Sequence, residues 1–207
     1  MRPLTFALAL VAGVTLVAGR ALAAVSVPLP TAMRVPHPLA RSVTLAPLLD
    51  RTGLPEVEVW ARQTQDLLAP DTLPLRTIGP AEATAMTRAA RLGDWDVRWQ
   101  LTPVRPDAPA FRALIRELGL ATGTDQILVQ ELISLARVPN PETGRDTDLD
   151  VTYRQTLLES RTGALVWQGS SSFALPVSES EAEPAVRRAL LETMKASLGD
   201  CPWRTVR

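Results

Sequence analysis

The feature that most constrains this chain is Leu157-Leu158-Glu159-Ser160-Arg161-Thr162-Gly163-Ala164-Leu165-Val166-Trp167, which reads as strand, tight turn, strand. Ser160 to Gly163 supply the turn, and Gly163 supplies the positive φ that a type I turn followed by a bulge requires. Upstream, Val151, Tyr153 and Leu157 alternate with Thr152, Arg154 and Thr156; downstream, Leu165, Trp167, Phe173 and Leu175 share one face, while Gln168, Ser170 and Ser172 share the other. A hairpin of this length cannot stand alone in water and needs further strands or a covering helix. Asp125-Gln126-Ile127-Leu128-Val129-Gln130-Glu131-Leu132 supplies one, since Ile127 to Val129 form the unbroken apolar run of a strand covered on both faces.

Helices surround these strands in the pattern. Ser42 to Leu49 predicts a first strand, with Pro47 arguing for an edge or a strand end. A turn at Asp50 to Gly53 leads to a helix over 56–68, with Val57, Trp60, Ala61, Thr64, Leu67 and Leu68 on its apolar face and Arg62 and Gln65 away from it. Leu73 to Ile78 is a short second strand. Gly79-Pro80 opens a helix from Ala81 to Leu92, with Ala85, Met86 and Ala89 inward and Gly93 as its stop. Asp107 is the expected cap of the next helix, in which Phe111, Leu114, Ile115 and Leu118 follow the i, i+3, i+4, i+7 rule and Gly119 ends the run. Ser180-x-x-Glu183 is a capping box for a last helix, with Val186, Ala189, Leu190, Thr193 and Ser197 on its inner face. The expected fold is therefore α/β (α+β): a single domain with a mixed four- to five-stranded sheet flanked by helices and a C-terminal helix.

The stretch Asp94 to Thr102 fits two periods. Trp95, Val97, Trp99 and Leu101 alternate with polar residues, as in a strand, yet Trp95 and Trp99 are also one helical turn apart. The alternation favours a strand. Trp95 and Trp99 are the candidate contacts for a ligand or partner, against the alternative that they simply fill the core.

The expected organisation is a signal peptide over 1–23, an extended Pro-rich lead-in over 24–41, one domain over 42–199 and a C-terminal tail over 200–207. Arg2 precedes the apolar run Leu4 to Val17, and Ala21-Leu22-Ala23 has the small-x-small form of a cleavage site. That run is shorter than the roughly 20 residues a spanning helix needs. Cleavage near Ala23 places the mature chain in the periplasm or outside the cell, with no transmembrane segment. Cys201 is the single cysteine, so no internal disulfide is expected despite export.

Chemistry is sparse. Lys+Arg and Asp+Glu are both 22, leaving no net field to attract nucleic acid. His37, the single histidine, sits between Pro36 and Pro38 in the lead-in and reads as a solvated loop residue rather than a catalytic base. With one His and one Cys, transition metals lack their best ligands. Asp146, Asp148 and Asp150 have calcium-loop spacing, but Val151 stands where the Gly belongs and Leu157 where the bidentate Glu belongs. Gly169-Ser170-Ser171-Ser172 lacks the nucleophile-elbow pattern. No catalytic residue, cofactor site or metal site is expected, and the chain reads as a non-enzyme.

Glu117-Leu118-Gly119, followed by Asp125-Gln126-Ile127-Leu128-Val129 and then Leu157 to Trp167, resembles a domain shared by several bacterial envelope proteins. These are the amino-terminal domain of TolB, the curli secretion lipoprotein CsgG and the lipoprotein activator of penicillin-binding proteins. The resemblance implies a mixed sheet flanked by helices, acting as a protein-binding module in the cell envelope. The chain departs from the pattern in having no lipoprotein Cys after the cleavage site, no β-propeller and no hairpins suited to an outer-membrane barrel, so no functional residue carries over. The expectation is an exported periplasmic, non-enzymatic module that binds another envelope protein or self-associates. The alternatives are a small-ligand-binding periplasmic protein and a hydrolase with an unrecognised site.

Overall fold

The computed structural model describes residues 40–53, 75–139 and 148–176, together with the helical positions Val59, Arg62, Gln63, Gln65, Pro184, Arg187, Arg188, Leu191 and Met194. The expected leader, His37, the calcium-like Asp146, the Ser180 capping box and Cys201 lie outside the described residues.

Besides those helical positions, the elements described throughout are, in order, β1 (Ser42–Leu45), β2 (Leu49–Asp50), β3 (Arg76–Ile78), α1 (Pro80–Ala89), α2 (Trp95–Leu101), α3 (Pro109–Thr122), β4 (Gln126–Val138), β5 (Asp148–Glu159) and β6 (Leu165–Pro176). The strands make one mixed sheet in the order β3-β1-β4-β5-β6, with β2 also on β4. β1 is parallel to β3 and β4, while β4, β5 and β6 form an antiparallel meander. The sheet has one more strand than the expected range because Pro47, lacking an N–H, splits the strand expected over Ser42 to Leu49 into β1 and β2.

The unbroken apolar run in β4 is explained by a core on each face. Leu128 and Leu132 join Val43, Leu45, Tyr153, Leu157 and Trp167 on one side, closed by Met194 and Leu191. Ile127 and Val129 join Leu158, Trp95, Trp99, Phe111, Leu114, Ile115 and Leu118 on the other, beneath the three helices. The turn after β5 takes the expected form. Gly163 has φ 70°, its N–H donates to the Glu159 carbonyl at 2.8 Å, and the Glu159 N–H donates to the Ala164 carbonyl at 2.9 Å.

Several local expectations are corrected. Asp94 to Thr102 is a helix, not a strand: Trp95 and Trp99 are buried, whereas Val97 is 61 % and Leu101 76 % exposed. Burial of alternate apolar residues only is what a 3.6-residue period gives, and a strand would have hidden all four together. In α1 the inward residues are Pro80, Ala83 and Thr87, with Ala85 and Ala89 exposed and Met86 partly packed. The helix ends at Ala89, before Gly93, and Arg91 takes the left-handed turn at φ 59°. In α3 the N-cap is Ala108, with no side-chain capping bond, so Asp107 does not cap it. Gly119 lies inside α3, and Gly123, with φ 65°, ends the helix. Gln65, expected to point away from the core, is 1 % exposed. Leu191 and Met194 contact the core although they were not expected on the inner face of the last helix.

Candidate interaction surface

The break at Pro47 leaves backbone groups that no strand can satisfy, and side chains from two helices take them up. Ala46 N–H still donates to Leu128 O at 2.9 Å, and Arg51 N–H resumes with Leu132 O at 2.9 Å. Between them, Leu48 N–H donates to Gln65 Oε1 and Gln65 Nε2 donates to Ala46 O, both at 2.9 Å. Gln65 Nε2 also reaches Gln130 Oε1 at 2.5 Å, and Trp99 Nε1 donates to Pro47 O at 2.8 Å. A buried backbone group without a partner is costly, so a Gln and a Trp here are structural requirements of the broken strand.

An open cleft of about 350 Å³ lies over this break, lined by Pro47, Leu48, Gln65, Pro80, Thr84, Arg88, Asp96, Trp99 and Gln100 among others. The buried Gln65 and Trp99 side chains that line it are already engaged with the backbone. Asp96 at the rim is held by Arg88 at 3.2 Å, with both side chains well exposed. The lining includes no nucleophile paired with a base. Among the described residues no group of three or more His, Cys, Asp or Glu is placed to hold a metal ion.

Trp95 and Trp99 are brought together as core. Each is 1 % exposed, and their rings stack at 5.0 Å and 13°, with Trp99 also 6.2 Å from Phe111. Trp95 Nε1 donates to Leu114 O at 3.3 Å. Trp99 borders the cleft; Trp95 is absent from its lining.

Two acidic residues of the β4 segment have opposite surroundings. Asp125 Oδ2 accepts from the Arg41 backbone N–H at 2.9 Å and from the Ser42 hydroxyl at 3.2 Å, which pins the start of β1 to the start of β4. These donors, the Arg41 N–H foremost, hold its carboxyl below the ordinary 3.8. Glu131 is 4 % exposed, and burial raises its carboxyl above the ordinary 4.5, against the pull of Arg154 and Arg51. Each arginine stands 3.7 Å from one of its oxygens. Arg51 also donates to the carbonyls of Gln100 at 2.8 Å and Thr102 at 3.1 Å, closing the C-terminal end of α2. Glu131 was not singled out in the sequence, where its signal is an acid between the apolar runs Ile127 to Val129 and Leu132-Ile133.

The helical layer presents a different kind of surface outward. Arg98 makes a two-pronged contact with Glu117, at 3.2 and 2.8 Å, and a further bond to Asp94 at 3.0 Å. Trp95 with Leu114 and Arg98 with Glu117 share an offset of 19 residues. Leu101 and Leu120 have the same offset in sequence, three residues on from Arg98 and Glu117. Leu101 is 76 % exposed and Leu120 87 %, and Val97 on the preceding turn of α2 is 61 % exposed. Exposed apolar residues scattered singly are ordinary; three on two helices joined by the Arg98–Glu117 ion pair make the outer side of α2 and α3 the candidate contact surface.

The architecture is thus a mixed α/β module in which Gln65 and Trp99 serve the backbone of its own broken strand. No family model matches the chain, and no curated protein does. Solved structures with a similar fold include lipoprotein GNA1162 from Neisseria meningitidis, at 16% identity, 75% of this chain, 98% of that chain and TM-score 0.46. The PelC dodecamer from Paraburkholderia phytofirmans matches at 12% identity, 83% of this chain, 95% of that chain and TM-score 0.46. The LpoB C-terminal domain from Escherichia coli matches at 16% identity, 67% of this chain, 86% of that chain and TM-score 0.42. At these values the likeness concerns the general arrangement of sheet and helices, and says nothing of activity or partner. Among the described residues no helix is long and apolar enough to cross a membrane.

Proposed function

We propose that the chain is an exported, non-enzymatic module of a bacterial cell envelope that binds another envelope protein through the outer face of α2 and α3. The leader pattern over 1–23 and the sequence resemblance to TolB, CsgG and the penicillin-binding-protein activator lipoprotein support the compartment. The observation that carries the binding role is the exposure of Val97, Leu101 and Leu120 on two helices already tied together by Arg98 and Glu117. Apolar side chains held on a rigid helical face suit a protein contact better than a solvated one.

The test places a photo-crosslinking residue at Leu101 or Leu120 in the full chain expressed with its leader, with exposed Glu82 of α1 as control. The expected result is one common heteromeric adduct from positions 101 and 120 and none from 82, with a periplasmic product starting near Ala24. No adduct from 101 and 120, or equal labelling from 82, overturns the binding face. A product retaining residues 1–23 overturns export by cleavage.

A second reading, small-ligand binding beside Trp95 and Trp99, is favoured by one observation: Trp99 borders the open cleft. It requires a ligand that changes tryptophan emission in the wild type and not in a Trp99→Phe variant.

A further inference from the structure

We propose that β6 is the docking edge for a second copy of this chain, the two β6 strands pairing antiparallel about a two-fold axis perpendicular to the sheet. The inference rests on a contrast between the two ends of one sheet. β3, at one end, is three residues long, starts with the charged Arg76 and is bracketed by Pro74 and Pro80. Those are the devices by which sheet edges resist pairing with other chains. β6, at the other end, runs twelve residues from Leu165 to Pro176 and pairs with β5 from Leu158↔Leu165 to Asp148↔Pro176. Among the described residues nothing pairs with its other side.

β6 has none of the protections of β3. Leu-Val-Trp-Gln-Gly-Ser-Ser-Ser-Phe-Ala-Leu-Pro contains no Lys, Arg, Asp or Glu, and its one proline is the last residue. The register shift between β5 and β6 falls at Leu157/Leu158, beside the turn, so the rest of the strand is continuous. At ~3.3 Å per residue the edge extends roughly 40 Å, longer than the common strand. An uncharged edge of that length is a template for strand addition.

The identity of the occupant follows from charge. A foreign strand is selected at an edge by complementary charges or side-chain pockets, and this edge offers no charge to read. A copy of itself needs neither. The strand contains no like charges to oppose one another across such a pairing. A perpendicular two-fold sets each face of the sheet beside the same face of its partner, which continues both and closes the assembly at two. The middle of the strand is Gly169-Ser170-Ser171-Ser172, small residues that meet around such an axis without crowding. Trp167 does not obstruct it: its ring lies along its own strand over Gly169, where an added Cβ would come 2.6 Å from Trp167 Cζ2.

The experiment follows the mass of the full mature chain by sedimentation across a concentration series, with hydrogen exchange of the β6 amides. Wild type, Ser170→Lys and Ser171→Lys are compared, and far-UV circular dichroism checks that each is folded. A dimer is expected for the wild type, with slow exchange along the outer edge of β6. Either lysine should weaken association by about tenfold or more and release those amides. A second variant keeps the test open should the lysines unfold the chain: Ser171→Cys with Cys201→Ser is expected to give a 171–171 disulfide dimer on mild oxidation. A wild type that stays monomeric overturns the proposal, whether its β6 amides exchange fast or are covered by the chain's own residues. A dimer that ignores both lysines and forms no 171–171 disulfide also overturns it. The α2–α3 face is a separate surface, and its crosslinking result is independent of this one.

Discussion

Gly119 of α3 lies against Ser160 of the β5–β6 turn so closely that a Cβ on Gly119 would stand 2.6 Å from Ser160 Cβ and 2.8 Å from the Ser160 carbonyl oxygen. That contact seats the longest described helix on the hairpin. It is reinforced where Ser160 N–H donates to Asp125 O at 3.0 Å and the Ser160 hydroxyl donates to Thr124 O. Gly119→Ala should therefore destabilise the domain by about 1–3 kcal/mol through overpacking, although alanine is the better helix former. Denaturant unfolding measures this, and a midpoint at or above wild type would show that α3 does not approach the turn so closely.

Gln65 should be the most sensitive position of the Pro47 break. Gln65→Met keeps the side chain's length and removes the bonds to Leu48 N–H, Ala46 O and Gln130. The expected loss is about 2–3 kcal/mol, because these buried groups are left unpaired. A urea midpoint within error of wild type would contradict that role.

Glu131 gives a pH dependence opposite to that of most acids. Its folded carboxyl lies above the ordinary 4.5, so the folded state holds the proton more tightly than the unfolded chain does. Its effect on stability therefore worsens as pH rises from 4.5 through the folded value. Glu131→Gln removes this titration, so the variant should gain on wild type in going from acidic to neutral pH. Thermal melts of both proteins across that range test it, and a gap that is constant or moves the other way counts against a buried carboxylate.

Asp125 titrates with the opposite sign. Its folded carboxyl lies below 3.8, so its stabilising effect is present above that value and is lost as pH falls through the folded one. Asp125→Asn should be less stable than wild type at neutral pH, and the difference should close in acid. Because Asp125 is exposed, the effect is modest and comes through the bonds to Arg41 and Ser42. Equal stability at neutral pH would remove the carboxylate from the join between β1 and β4.

Much of the fold was legible in the sequence wherever one residue imposes one backbone state. Gly163 required the hairpin turn, and the run Ile127 to Val129 implied a strand with a core on each side. The helical phase of Phe111, Leu114, Ile115 and Leu118 identified the inner face of α3. These signals are local, and each is expressed within a few residues of its cause.

What failed depended on neighbours distant in sequence. Gly119 looked like a helix stop because glycine ends helices, but its lack of a side chain serves the contact with Ser160. Gln65 looked like a solvent residue because it is polar, and only the gap left by Pro47 draws it inside. Asp94 to Thr102 fits two periods and its alternation favoured a strand, but the space beside Phe111 admits two stacked indoles and made it a helix. Trp95 and Trp99 were singled out by spacing, yet their burial as a stacked pair is a property of the packed layer. The sequence alone therefore determined the hairpin and the central strand with a core on each face, through short-range steric and periodic rules. Only the tertiary structure decided which polar residues are buried and which apolar ones, Leu101 and Leu120, remain outside. It also set a guarded β3 and an unguarded β6 at opposite ends of one sheet. Burial and edge position depend on what packs alongside, and no local pattern carries that information.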